Sequence, residues 1–93
     1  MFTFINRYTV IGTPAEFEAV LDRIHQYMAG QRGYLSHRLY RSAKDPRTYV
    51  EIAEWDRAES HRSATGGAEF RAGLAEILRL AKAEPGPFIP VSA

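Results

Sequence analysis

The chain is 93 residues long, which fits a single domain over residues 1–93 with no room for a second core. Its 12 Lys+Arg against 11 Asp+Glu leave a net charge of +1, without the basic excess of a nucleic-acid binder. It has no cysteine, which excludes disulfides, zinc-thiolate sites, iron–sulfur clusters and thiol nucleophiles. No apolar run approaches the roughly 20 residues of a membrane span, and Met-Phe-Thr-Phe does not read as a signal peptide. The expectation is a soluble, cytoplasmic protein.

Residues 2–11 are β-branched and aromatic and predict a first strand, with Phe2, Phe4, Asn6, Tyr8 and Val10 on one face. Gly12 ends it. Thr13-Pro14-Ala15-Glu16 reads as a helix start, with Thr as N-cap and Pro at the first position. Phe17, Val20, Leu21, Ile24 and Met28 recur at helical spacing and predict a helix over 14–29. Gly30 and Gly33 bracket its end and allow positive φ.

Residues 34–42 predict strand two, Lys44-Asp45-Pro46-Arg47 a turn, and 48–55 an antiparallel strand three. On strand three Tyr49, Glu51, Ala53 and Trp55 share one face, and Val50, Ile52 and Glu54 the other. Asp56 reads as the N-cap of a short helix over 57–64, with Glu59 closing a capping box. Gly66-Gly67 breaks it. A longer helix over 68–83 carries Phe70, Leu74, Ile77, Leu78 and Ala81 on its apolar stripe, and Glu84-Pro85-Gly86-Pro87 stops it. Phe88 to Val91 reads as a last short strand, placed at an edge by its neighbouring prolines.

The order strand, helix, strand, strand, helix, strand is the ferredoxin-like βαββαβ layout of an α+β protein: one antiparallel sheet with its helices on one face. Both faces of the strands carry apolar groups, Ile5 and Ile11 against Phe4 and Val10, and Val50 and Ile52 against Tyr49 and Trp55. The face without helices therefore expects a second sheet, most simply from another copy in a two-fold dimer.

The three histidines, His25, His37 and His61, lie on different elements without ligand spacing, so no metal site is read. No phosphate loop, Gly-x-Gly-x-x-Gly or Gly-x-Ser-x-Gly occurs. Trp55 reads either as a core anchor between sheet and helix or as the wall of a pocket toward residues 57–71. Glu51, on the same face, is a carboxylate turned toward an apolar interior unless it meets water or an arginine, and it needs a partner or a proton there. Asn6 raises the same question between Phe4 and Tyr8. His61 and Arg71 project from the two pieces of the broken helix. Five tyrosines (Tyr8, Tyr27, Tyr34, Tyr40, Tyr49) supply rings for a core, an interface or a pocket for a flat polyphenol.

The element order, the opening Ile-Asn-Arg-Tyr-Thr-Val, the Gly-Tyr-Leu after helix one, and Tyr-Val-Glu-Ile-Ala-Glu-Trp followed by Ala-Glu-Phe-Arg resemble the antibiotic biosynthesis monooxygenase domains over about residues 2–90. The resemblance implies a dimeric α+β barrel of ferredoxin-like subunits. One branch of that family oxidises phenolic or anthrone-type polyketides to quinones with dioxygen and no metal, flavin or haem; another binds and degrades haem. Trp55 fills the quinone-forming branch's Trp at the end of strand three, and Arg71 fills its Arg in the last helix. Its Asn four residues before the Trp is Glu51 here, and its Tyr six residues after the Trp is His61. Of the haem-degrading pattern Asn6 fits one position, but the Trp and iron-ligand His positions fall on Ala64 and Leu74, so that branch ranks low.

The resemblance thus implies a cofactor-independent monooxygenase acting on a small aromatic substrate with dioxygen, as a homodimer. His61 or Glu51 removes a proton, Arg71 stabilises the resulting anion, Trp55 stacks on the ring system, and Asn6 donates to a carbonyl. Tyr49 and Phe70 complete the expected substrate contacts. The alternatives are a polyketide cyclase or aromatase of the same fold, and a dimeric binding module without catalysis.

Overall fold

The computed structural model describes residues 1–92. Its elements are β1 (Phe2–Val10), α1 (Pro14–Ala29), β2 (Tyr34–Arg41), β3 (Thr48–Trp55), α2 (Ala58–Thr65), α3 (Ala68–Leu80) and β4 (Ala81–Phe88). The strands form one sheet in the order β2-β3-β1-β4, and every neighbouring pair is antiparallel. This is the ferredoxin-like α+β layout. Among the described residues no helix is long and apolar enough to cross a membrane.

Alternation along β1 decides which side chains reach the helices. Asn6, Tyr8 and Val10 are buried while Arg7 between them is exposed. On α1 Phe17, Val20 and Leu21 are buried at the spacing of one helical face. These residues meet Tyr49, Ile77 and Ala81 in one core cluster at one end of the layer. The Tyr8 and Phe17 rings meet edge-on at 5.0 Å, and Phe17 and Tyr49 at 4.9 Å. β1 and β3 run in opposite directions out of this closed end, so Phe4 and Trp55 both lie at the other end of the layer.

Toward the C-terminus the local expectations differ from the structure. The last helix ends at Leu80, and Ala81, expected on its stripe, opens β4. The segment Glu84–Pro87, expected as a stop, lies within β4 and pairs with Phe4 to Arg7 of β1. An edge strand tolerates this because Pro85 and Pro87, two apart, turn their missing N–H groups to the same unpaired side. Of the separate strand expected over Phe88 to Val91 only Phe88 is in a strand, as the last residue of β4, and Ile89 and Val91 are exposed outside it.

The expected capping boxes do not form. Thr13 makes no side-chain cap bond, and Arg57, not Asp56, is the N-cap of α2. Asp56 instead accepts a hydrogen bond from Ser60, which lowers its carboxyl pKa. Of the two bracketing glycines only Gly33 has positive φ, at 88°, and Gly30 stays helical. A Cβ on Gly33 would also collide with Asp56 and Ser60, whereas one on Gly30 would meet only the Tyr27 carbonyl at 3.6 Å.

The two glycines therefore separate in a stability measurement. Gly33→Ala is expected to lower unfolding free energy by about 1–3 kcal/mol in a urea titration. Gly30→Ala stays within about 0.5 kcal/mol of wild type. Equal losses from both would show that the left-handed backbone at residue 33 is not what the turn requires.

Candidate functional site

Away from the closed core the sheet and helices part around a cavity of about 430 Å³. Its floor is the sheet. β1 contributes Phe4, Asn6 and Tyr8, and β3 contributes Glu51, Ala53 and Trp55. The register sets Asn6 opposite Glu51 and Phe4 opposite Ala53, so these side chains rise together from adjacent strands. The roof is Ile24, His25 and Met28 of α1 with Phe70 and Leu74 of α3, and His61 of α2 closes the side near Trp55.

β2 reaches the cavity through an irregularity. Strict alternation would put Tyr34 and His37 on opposite faces. A register shift between Tyr34 and Ser36 leaves Leu35 as an extra residue, exposed to solvent. Beyond it the phase is reset, so both Tyr34 and His37 line the cavity.

At the polar end the side chains are connected. The Asn6 Nδ2–H donates to Tyr8 Oη at 3.0 Å, and the Tyr8 hydroxyl donates to Glu51 Oε1 at 2.9 Å. The second carboxylate oxygen, Oε2, lies 2.7 Å from His37 Nε2. Burial foremost, then the negative charge and hydrogen bond of Glu51, raises the Tyr8 pKa, opposed by the Asn6 contact. Tyr8 therefore stays a neutral donor. The His25 ring lies flat on His37, with centroids 4.0 Å apart and planes at 25°.

At the aromatic end His61 packs on Phe4 with centroids 4.3 Å apart and meets the Trp55 edge at 5.6 Å. Trp55 is 1% exposed and stands perpendicular to Tyr34. Burial lowers the His61 pKa below the ordinary imidazole value, against a smaller raising effect of Glu51. His61 is thus a neutral imidazole at neutral pH.

Three buried polar atoms of the cavity's residues have no hydrogen-bond partner among the described residues: Asn6 Oδ1, His25 Nδ1 and Trp55 Nε1. Each costs about 1–3 kcal/mol unless something supplies the bond. Among the described residues no three His, Asp or Glu side chains converge as a metal-binding set.

The sequence-derived candidates divide. Glu51, Trp55, Asn6, His61 and Phe70 all line the cavity. Tyr49 does not. It is 2% exposed in the closed core, with its hydroxyl donating to Glu18. It shares Trp55's face, as expected, but lies three turns of the pleat away. Arg71 is exposed on α3 and outside the cavity lining. Phe70, Leu74 and Ile77 form the inward stripe, and the residue after Phe70 is rotated about 100° from it. Tyr8 reads from sequence only as one of five rings, and His25 and His37 only as histidines without ligand spacing, with no role in the site. His25 could have been, because it lies on the stripe of Leu21, Ile24 and Met28. His37 depends on the irregularity at Leu35, which alternation does not reveal.

Comparison with known proteins shows the chain's family and fold. The family model described as antibiotic biosynthesis monooxygenase matches residues 1–86. The chain is 37% identical over 86 residues to deoxynogalonate monooxygenase of Streptomyces nogalater, covering 92% of this chain and 73% of that protein. The crystal structure of SnoaB, a cofactor-independent oxygenase from the same organism, superposes with a TM-score of 0.95 at 35% identity, covering 99% of this chain and 94% of that one. A conserved protein from Methanosarcina mazei Go1 shares the fold with a TM-score of 0.84 at 13% identity, covering 94% of this chain and 89% of that chain.

The packing of His61 has a pH signature. Its folded pKa is depressed, so its contribution to stability is present above the unfolded value of about 6.5 and is lost as pH falls from there toward the folded value. An NMR titration should place the His61 ring below the ordinary imidazole value, and His61→Phe should flatten the stability profile over that window. A ring titrating at or above 6.5 would mean that it is open to water.

Proposed function

This chain belongs to the antibiotic biosynthesis monooxygenase family and is an enzyme of the monooxygenase type; on that premise we propose that it oxidises a phenolic or anthrone-type aromatic polyketide with dioxygen and without a cofactor. The observation that carries the proposal is the cavity itself. It is walled by flat aromatic side chains, and its lining residues Asn6, His25 and Trp55 carry buried polar atoms with no partner among the described residues. Its volume lies within the range of small-molecule sites. A polyphenol offers both an aromatic plane for the walls and hydroxyl or carbonyl groups for the unmatched atoms.

Ground-state dioxygen is a triplet and reacts slowly with closed-shell molecules, so the protein's task is to make the substrate electron-rich. Proton removal falls to Glu51, the carboxylate at the polar end. The enolate or phenolate so formed passes one electron to dioxygen, and the radical pair recombines at carbon. Trp55 and Phe4 hold the ring system and exclude water. The Trp55 Nε1–H, buried without a partner among the described residues, donates to the oxygen on which charge develops.

This is the part expected of Arg71, whose exposed position gives it no part in the mechanism. Asn6 presents its Oδ1 to a substrate hydroxyl, because its Nδ2 already serves Tyr8, so it acts as an acceptor where a donor was expected. His61, neutral between Phe4 and Trp55, is a second acceptor at the aromatic end.

The proposal includes a homodimer. Ile5 and Ile52 are paired on the face away from the helices, next to Val50, Tyr40 and Phe88, and the last two are 49% and 52% exposed. A second copy of this sheet face would cover them.

Two experiments test the reading. Purified, metal-stripped protein offered anthrones and polycyclic hydroquinones should take up oxygen above the uncatalysed rate. Trp55→Ala should reduce this by about 100-fold or more. Binding of these compounds with no uptake across the panel would replace oxygenation by cyclisation or simple binding. Light scattering should give twice the chain mass, and Ile52→Lys should halve it.

A further inference from the structure

The carboxylate at the polar end is not alone. Glu51 Oε2 and His37 Nε2 are 2.7 Å apart, with the two side chains only 14% and 12% exposed. The other oxygen, Oε1, is held by the Tyr8 hydroxyl, itself fixed by Asn6. We infer that Glu51 and His37 act as one proton-holding pair, which takes the proton lost by the substrate and hands it back to the reduced oxygen. His37 acts through Glu51 as a positioning and proton-sharing residue. The inference rests on the proposed oxidation and names how its proton is handled.

The stoichiometry asks for such a store. When a CH₂ carbon becomes a carbonyl, the carbon loses four electrons and dioxygen gains four. One oxygen atom stays on carbon and the other leaves as water. The first C–H proton goes to the pair as the enolate forms. A C–O bond forms to dioxygen, and the pair returns its proton to the distal oxygen. The second C–H proton is then removed, the O–O bond breaks, the C=O bond forms, and that proton joins the departing hydroxide. Two protons leave carbon and both end in water, so none needs to enter or leave the protein.

The surroundings suit this role. The groups facing the pair are Tyr8 and Asn6 from β1, His25, Asp22 and Glu18 from α1, Tyr34 from β2, and His61 from α2. From α3 and β4 the cavity receives no ionisable side chain, and no Lys or Arg lines it among the described residues. A proton on the pair therefore meets carboxylates and neutral donors rather than a competing cation. His25 is the one stacked rival. Its pKa is lowered by burial and by the neighbouring His37 ring, so it competes weakly for the proton.

A second cleft of about 390 Å³ opens on the far side of His25 and His37, lined also by Glu18 and Asp22. It gives a small base access to the position of His37, which makes the inference testable by rescue.

The experiment uses a dihydroxyanthraquinone dye, whose colour reports its ionisation, bound to the protein without oxygen. Wild type is expected to bind it as the phenolate at least one pH unit below the free dye's transition. His37→Gln keeps an N–H donor toward Glu51 but cannot hold a proton, and should raise the bound transition by at least one unit. His37→Ala should do the same, with added imidazole lowering it again. Thermal unfolding checks that both variants fold. A bound transition unchanged in both folded variants overturns the inference, as does a wild-type transition equal to the free dye's. Oxygen uptake separates the two readings. Ionisation lost in His37→Gln, with no uptake by wild type on any substrate, keeps the pair and removes the oxidation. Uptake undiminished in His37→Gln keeps the oxidation and removes the pair.

Discussion

A carboxylate turned into the layer between a sheet and its helices must be hydrogen-bonded or take up a proton. Glu51 is that group, and much of the site follows from how it is satisfied. The β1/β3 register brings the Tyr8 hydroxyl to one oxygen, and β2 brings His37 to the other. Tyr8 is in turn held by Asn6, directly opposite Glu51 in the pairing. Three strands thus converge on one charge, and the polar end of the cavity is built before any ligand enters.

The layer is divided by the opposite directions of β1 and β3. At one end Val10, Phe17, Tyr49, Ile77 and Ala81 close the space completely. At the other α1 and α3 leave a cavity over the sheet, and only His61 of α2 packs down against Phe4 and Trp55. A small domain buries little surface to spare, so hollowing one end costs stability that the closed end must supply. The unpartnered atoms of Asn6, His25 and Trp55 add to that cost. A folded chain that keeps them has retained groups whose bonds a bound molecule can complete.

Loss of an open stretch between α3 and β4 also shapes the site. The chain passes from helix at Leu80 to strand at Ala81 without a loop, and the Leu80 carbonyl accepts hydrogen bonds from Ile11 and Gly12 at the end of β1. This anchors α3 over the sheet at the closed end. The same passage puts Ala83 and Pro85 of β4 beneath the cavity, two small side chains that leave its floor open.

The order of elements, the ferredoxin-like layout and the facing of Asn6, Glu51 and Trp55 into the interior were legible in the sequence, because they rest on periods of two and 3.6 that each strand and helix carries within itself. Turn chemistry was less secure. A proline pair reads as a stop to a helix, and only membership of an edge strand made it part of the sheet. The placing of Tyr49 in the core rather than the cavity, and of Arg71 in solvent, depends on where along the sheet the helices part, which no local pattern states. His37 was hidden for a sharper reason. One extra residue at Leu35 resets the alternation of β2, and the histidine finds Glu51 only after three strands have set their registers against one another. The sequence by itself determined which side chains of β1, β3 and α1 face inward; the tertiary structure decided which of them meet, and turned His37 toward them, because contact across strands depends on register and on the single irregularity that shifts it.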